Sequence, residues 1–236
     1  MSARVVLMSH GSARSSQIAH LAAALHEMEG DSAAAPAIDF GHVDADGDTA
    51  SVVAACQGAV ALLANANCTN LVEIARQLPD LRLVQTFTAG TDWVDVGGLA
   101  ELGVKVADNG GANAIAVAET AIALMVSVFH RLDQQFASVQ AGAWGSQVPG
   151  SGGDFQTLEG KRVGLVGLGR IGSRAARRLA GWECDILFHD IADLAPDYIT
   201  ASGARQVTFE ELLATSDVRV IAYSAQPPYP SSDLCS

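Results

Sequence analysis

At 236 residues, 49% of them apolar and 17% charged, the chain is long enough for one or two domains with proper cores and too apolar to be disordered. A formal net charge of −12 argues against nucleic acid or an anionic membrane as the main partner. Cys56, Cys68, Cys184 and Cys235 are scattered without a C-x-x-C, so neither zinc nor a disulfide framework is indicated; reduced thiols in the cytoplasm are the expectation.

The first residues, MSARVVLMSHGS, hold an apolar core too short for a signal peptide. Arg4–Ser9 reads as a strand and Ser16–Glu29 as a helix with Ile18, Leu21, Ala22 and Leu25 on one face. Ala37–Val43 is a second strand, followed by the acidic turn Asp44–Asp48. A helical stretch at Val52–Cys56, a strand at Ala59–Ala64 and a short helix at Leu71–Gln77, ended by Pro79, come next. Leu83–Gln85 and Val104–Ala107 are further strands. Strands alternating with helical patterns predict a parallel, doubly wound sheet, so residues 1–110 form a first α/β domain.

Asp108–Gly111 is a polar, glycine-rich joint, and Asn113 is the expected N-cap of a helix from Ala114 to about Arg131. That helix is apolar nearly all round, which places it between domains or subunits. Glu119 interrupts the apolar run, so a buried helix is expected and not a membrane span. Glu119 reads as a structural carboxylate with a hydrogen-bond partner. Gly145–Asp154 is loop.

Residues 111–236 are expected to form a second domain, organised around Lys161–Asp190. Val163–Val166 is a strand-length apolar run, and Gly167-Leu168-Gly169-Arg170-Ile171-Gly172 follows as G-x-G-x-x-G. Ile171, Ala175 and Leu179 then recur four apart, with Arg174, Arg177 and Arg178 turned outward as a solvated face. A second apolar run, Asp185–His189, ends in Asp190. Gly167 permits the tight turn, Gly169 lets backbone approach a pyrophosphate, and Gly172 lets the helix pack on the strand. Free N–H groups at the helix start then face the phosphates. Asp190, 18 positions after Gly172, can accept from the ribose 2′-hydroxyl and would repel a 2′-phosphate. Ile191, not an arginine, follows it, so the predicted cofactor is NAD and not NADP.

Beyond Asp190, Thr208-Phe209-Glu210-Glu211 is a capping box opening a short helix, and Asp217–Tyr223 is one more strand. Ser224–Ser236 is rich in proline and serine, without periodicity.

Leu83–Val96 (LVQTFTAGTDWVDV), Gly103–Met125, Ala141–Trp144 (AGAW), the Lys161–Asp190 stretch and Thr208–Val218 (TFEELLATSDV) together resemble the D-isomer-specific 2-hydroxyacid dehydrogenases. That resemblance implies a flavodoxin-like substrate domain and a Rossmann NAD-binding domain. It implies hydride transfer between nicotinamide and C2 of a small 2-hydroxy or 2-oxo acid. Ala89, Gly90 and Thr91 match the loop whose amides hold the substrate carboxylate. Val117 matches a position lining the cofactor site, Arg170 and Ile171 the pyrophosphate-contacting pair, and Asp190 the ribose acid. The helix after Asn113 and the Trp144 region match the segments through which the family forms homodimers.

The family's catalytic arginine, glutamate and histidine lie on segments after the strand at Asp217–Tyr223. No matching position is found here, so no catalytic residue is assigned and no metal site is expected. The expected architecture is therefore a substrate domain lacking its C-terminal segment and a Rossmann domain truncated after its fourth strand. Exposing roughly 400 Å² of apolar surface there would cost on the order of 10 kcal/mol, which predicts a marginal, aggregation-prone cofactor domain unless Ser224–Ser236 or a partner covers that face. The alternatives to a dehydrogenase are a non-catalytic NAD(H)-binding interaction protein and an inactive fragment.

Overall fold

Most of the strands that carry the fold are short apolar runs, and each pairs in parallel with its neighbours. They are seen in a computed structural model that describes residues 3–10, 38–65, 68–148 and 155–222. The predicted helix Ser16–Glu29 and the tail Ser224–Ser236 lie outside the described residues. The chain divides into two compact units, Met1–Gly110 and Gly111–Ser236.

In the first unit β1 (Ala3–Ser9), β2 (Ile38–Asp44), β3 (Ala59–Ala64), β4 (Leu83–Thr86) and β5 (Lys105–Ala107) form one sheet in the order β2-β1-β3-β4-β5. That is the doubly wound order of flavodoxin-like sheets. One register row runs Gly41, Val6, Leu62, Val84, Val106 across all five strands. Val6, Leu62 and Val84 are fully buried, as expected for a parallel sheet covered on both faces. Helices α1 (Thr49–Ala55), α2 (Leu71–Arg76) and α3 (Val96–Glu101) close the core with Val52, Ile74 and Leu99. Asp48 caps α1 by accepting from the Ser51 amide at 3.0 Å, and Asp95 caps α3 by accepting from Gly98 at 2.8 Å.

The second unit holds β6 (Arg162–Val166), β7 (Asp185–His189), β8 (Arg205–Gln206) and β9 (Val218–Ile221) in the order β8-β7-β6-β9. Numbered within the unit this is 3-2-1-4, the corresponding part of a Rossmann sheet. Gln206, Phe188, Leu165 and Val220 share a register row. Around it lie α4 (Ala114–His130), α5 (Leu132–Gln140), α6 (Gly172–Leu179), α7 (Pro196–Ser202) and α8 (Phe209–Thr215). Ala118, Ile122 and Met125 of α4 pack with Ala175, Ala176 and Leu179 of α6 in one core.

Several details depart from expectation. Burial of α4 is confined to Ala114, Ala118, Ile122 and Met125, while Leu124 and Val128 are 61% and 74% exposed. Asn113 stands at its N-cap position, but the side chain makes no capping bond. Arg178 is not a free outward cation: its guanidinium donates to Glu119 Oε1 at 3.1 and 3.2 Å, tying α6 to α4. Thr208 caps α8 by accepting from Glu211 at 3.1 Å, whereas the Glu211 carboxylate lies 3.4 Å from Arg205. Among the described residues no single helix is long and apolar enough to cross a membrane; α4 and α5 pass that test only as a pair bent by 67°.

Candidate functional site

The turn between β6 and α6 has the chemistry of an anion cradle. Gly167 sits at φ 94°, a conformation that glycine adopts without penalty, and its amide donates to His189 O at 2.7 Å. A β-carbon at Gly172 would overlap the Gly167 carbonyl oxygen, so glycine there sets how closely α6 starts against the turn. A β-carbon at Gly169 would meet nothing within 4 Å, which leaves its face of the turn open. The amides of Gly169, Arg170 and Ile171 have no hydrogen-bond acceptor among the described residues. Three consecutive free donors at the start of a helix suit phosphate oxygens.

Asp190 follows β7 and reaches back across the turn. Its Oδ2 accepts from the Leu168 amide at 2.7 Å, and Oδ1 from the Ala192 amide at 2.9 Å. Each oxygen keeps a lone pair for a further donor, the need of a sugar hydroxyl. From the other side, the Tyr198 hydroxyl lies 3.0 Å from Leu168 O and 3.3 Å from Gly169 O, so α7 buttresses the turn by donation to its carbonyls. Arg170 lies beside Gly111, where an added β-carbon would meet its Cδ at 2.7 Å. Val117 is 37% exposed on α4. His189 is turned to the sheet, with Nδ1 3.2 Å from Val207 O and the ring against Phe209.

The structure thus brings Gly167, Gly169, Arg170, Ile171 and Gly172 together on one turn, with Asp190 reaching it from the end of β7. Sequence reasoning missed Leu168, whose amide fixes the acid, and Tyr198. The available signal was Pro196 and Gly203 bracketing α7, with Gly203 at φ 72° as its C-cap.

Ala89, Gly90 and Thr91 belong to the first unit, on the loop after β4. Thr86 Oγ1 donates to Thr88 O at 2.8 Å, and Trp93 Nε1 donates to Thr88 Oγ1 at 3.1 Å, bracing the loop from both ends. The amides of these three residues also lack an acceptor among the described residues.

Comparison with known proteins bears on the second unit most directly. Residues 122–228 match the family model described as D-isomer specific 2-hydroxyacid dehydrogenase, NAD binding domain. That stretch of the chain is similar to the family's NAD-binding domain. A formate dehydrogenase of Chaetomium thermophilum is 36% identical over 145 residues, covering 60% of this chain and 39% of that enzyme. A hydroxyphenylpyruvate reductase of Plectranthus scutellarioides is 32% identical over 170 residues, covering 71% of this chain and 51% of that one. The chain therefore spans about half or less of the length of these two relatives. The holo crystal structure of Rhodotorula graminis D-mandelate dehydrogenase shares the fold, with a TM-score of 0.72 at 23% identity over 98% of this chain and 68% of that one.

NAD is the cofactor of this dehydrogenase family's domain, and the turn fits it on its own geometry. The open face at Gly169, the three free amides and the pinned carboxylate of Asp190 supply a backbone cradle and an acceptor for a sugar. Among the described residues no three His, Cys, Asp or Glu side chains are placed to hold one metal ion.

Proposed function

We propose that this chain holds NAD(H) at the β6–α6 turn for hydride transfer to or from C2 of a small 2-hydroxy or 2-oxo acid. The observation that carries the reading is the row of unsatisfied amides at Gly169, Arg170 and Ile171 beside a carboxylate fixed at 2.7 Å from the Leu168 amide. In it, Gly167, Gly169, Arg170, Ile171 and Gly172 form the pyrophosphate cradle, Asp190 holds the ribose, and Val117 lines the site. The nicotinamide, when bound, supplies or accepts the hydride. The amides of Ala89, Gly90 and Thr91 take the acid's carboxylate, a role supported by their lack of other acceptors among the described residues.

Two domains, 1–110 for the acid and 111–236 for the nucleotide, form part of this reading. So does a homodimer through α4 and the Trp144 region, supported by the exposure of Leu124, Val128 and Trp144. A cytoplasmic location is supported by the free thiols of Cys56, Cys68 and Cys184.

A second reading, NAD(H) binding without turnover, is favoured by the state of the four described histidines. His10 is 2.6 Å from Asp46, His42 is 2.8 Å from Ser9, His130 stacks on Phe155, and His189 faces Val207. Each imidazole is engaged within its own unit, whereas reduction of a 2-oxo acid requires a proton donor at the reacting carbonyl. Calorimetry with NADH and NADPH, followed by turnover assays with glyoxylate and hydroxypyruvate, separates the two. Saturating NADH at about 100 times its Kd stabilises the fold by about 2.7 kcal/mol if the cradle works. Turnover supports the dehydrogenase, binding without turnover supports the second reading, and a folded sample that takes up no coenzyme overturns both.

A further inference from the structure

Three segments far apart in the chain converge at the carboxyl ends of β1, β2 and β3. His10 directly follows β1, Asp46 lies in the turn after β2, and Cys68 comes after β3. Asp46 Oδ1 is 2.6 Å from His10 Nδ1, and the other ring nitrogen, Nε2, is 3.9 Å from Cys68 Sγ. In the order β2-β1-β3-β4-β5 the chain reverses direction between β1 and β3. A crevice forms at such a switch point outside the strand ends, and there open α/β sheets bind ligands. Cys68 also lines a cavity of about 320 Å³, together with Leu71, Val72, Trp93 and Asp95.

We propose that Cys68 is a nucleophilic thiol served by His10 and Asp46, and that its co-reactant is a low-molecular-weight disulfide that fits this cavity. Asp46 accepts from His10 Nδ1–H, which leaves the Nε2 lone pair as the basic acceptor for the thiol, whose other acceptor is the Met8 carbonyl, also at 3.9 Å. As Cys68 Sγ attacks one sulfur of the disulfide R–S–S–R, its proton passes to Nε2. The R–S–S–R bond breaks, a Cys68–S–S–R bond forms, and the leaving thiolate takes the proton from Nε2 as R–SH. The disulfide is exchanged, and no outside oxidant enters.

The arrangement answers a specific need. Burial, and the nearby Asp46 charge to a lesser degree, hold the Cys68 thiol above its ordinary range, against an opposing hydrogen bond from Asn65. The thiol therefore waits protonated, and only a base within reach makes it a nucleophile. The sulfur–nitrogen distance of 3.9 Å is long for a working pair, and such contacts shorten when reactants bind. Cys56 is the internal contrast: it is equally buried, faces Arg4 and, among the described residues, no imidazole, and is pushed up to about 11.

The test is time-resolved labelling of the full chain with cystamine at neutral pH, each cysteine followed by peptide mass spectrometry. Cys68 is expected to form its mixed disulfide at least about tenfold faster than Cys56. His10→Gln slows Cys68 by about tenfold or more with Cys56 and Cys184 unchanged, and Asp46→Asn slows it by about three- to tenfold. Equal rates for Cys68 and Cys56, or a Cys68 rate indifferent to both substitutions, overturn the proposal. Faster labelling of Cys56 in His10→Gln would mean a loosened first unit. In that case Asp46→Asn, a change in an exposed turn, decides: a slowed Cys68 supports the proposal and an unchanged one overturns it.

Discussion

The amide of Leu168 donates to Asp190 Oδ2 at 2.7 Å, so the carboxylate proposed to hold the ribose also closes the turn proposed to hold the phosphates. Asp190→Ala removes an acceptor from Leu168 and Ala192 together with the sugar's partner. NADH affinity should fall by about 10- to 100-fold, equivalent to about 1.4–2.7 kcal/mol. The preference for NADH over NADPH should shrink with it, because the charge that repels a 2′-phosphate is gone. Calorimetric titration of both coenzymes measures the two effects; an unchanged NADH Kd would remove Asp190 from the site.

Two glycines of the same turn should respond differently to the same added methyl group. Gly172→Ala drives a β-carbon into the Gly167 carbonyl and should destabilise the second unit by about 2–4 kcal/mol in urea unfolding. Gly169→Ala meets only open space, so stability should hold while NADH binding weakens by about tenfold or more. Loss of stability in Gly169→Ala would mean that this face is not open.

Tyr198→Phe deletes the hydroxyl that donates to Leu168 O at 3.0 Å. The expected loss is about 0.5–1.5 kcal/mol of stability. A several-fold weaker grip on NADH should accompany it, because the turn's amides lose their backing. Isothermal titration beside a urea melt of the same sample reads both.

Burial pushes the Cys56 thiol from 9.0 up to about 11, opposed by the Arg4 charge. Between those two values an unfolded chain has released a proton that the folded one retains. Its contribution to stability is complete below about pH 9 and is lost as pH rises through about 11, a fall of about 2–3 kcal/mol. Cys56→Ala should flatten that decline in alkaline urea melts. A residual slope is expected to remain, since burial also raises Cys68 and Cys184.

What is legible in the sequence is what local chemistry encodes. The run Val163–Val166, the three glycines and Asp190 each carry their own signal, and together they announce strand, turn, helix and acid. Helix α3 escapes such a reading because Val96-Gly97-Gly98 opens it with two poor helix formers, and the Asp95 cap compensates only in three dimensions. Helix α5 carries a short stripe, Leu132, Phe136 and Val139 at helical spacing, but it follows α4 across a single break at Arg131 (φ 52°) and buries no side chain, so its start is set by backbone geometry and not by a core. The two-residue β8 is too short to leave a pattern. His10 stands 36 positions from Asp46 and 58 from Cys68, and only the pairing of β1 with β2 and β3 brings them together.

Among the described residues the core clusters of the two units share no residue: one is built from Val6 to Val104, the other two from Ala118 to Leu212. Each unit therefore has its own source of cooperativity, and a calorimetric scan should resolve two steps. Coenzyme would then lift one step and leave the other in place, so a single titration assigns each peak to its half of the chain.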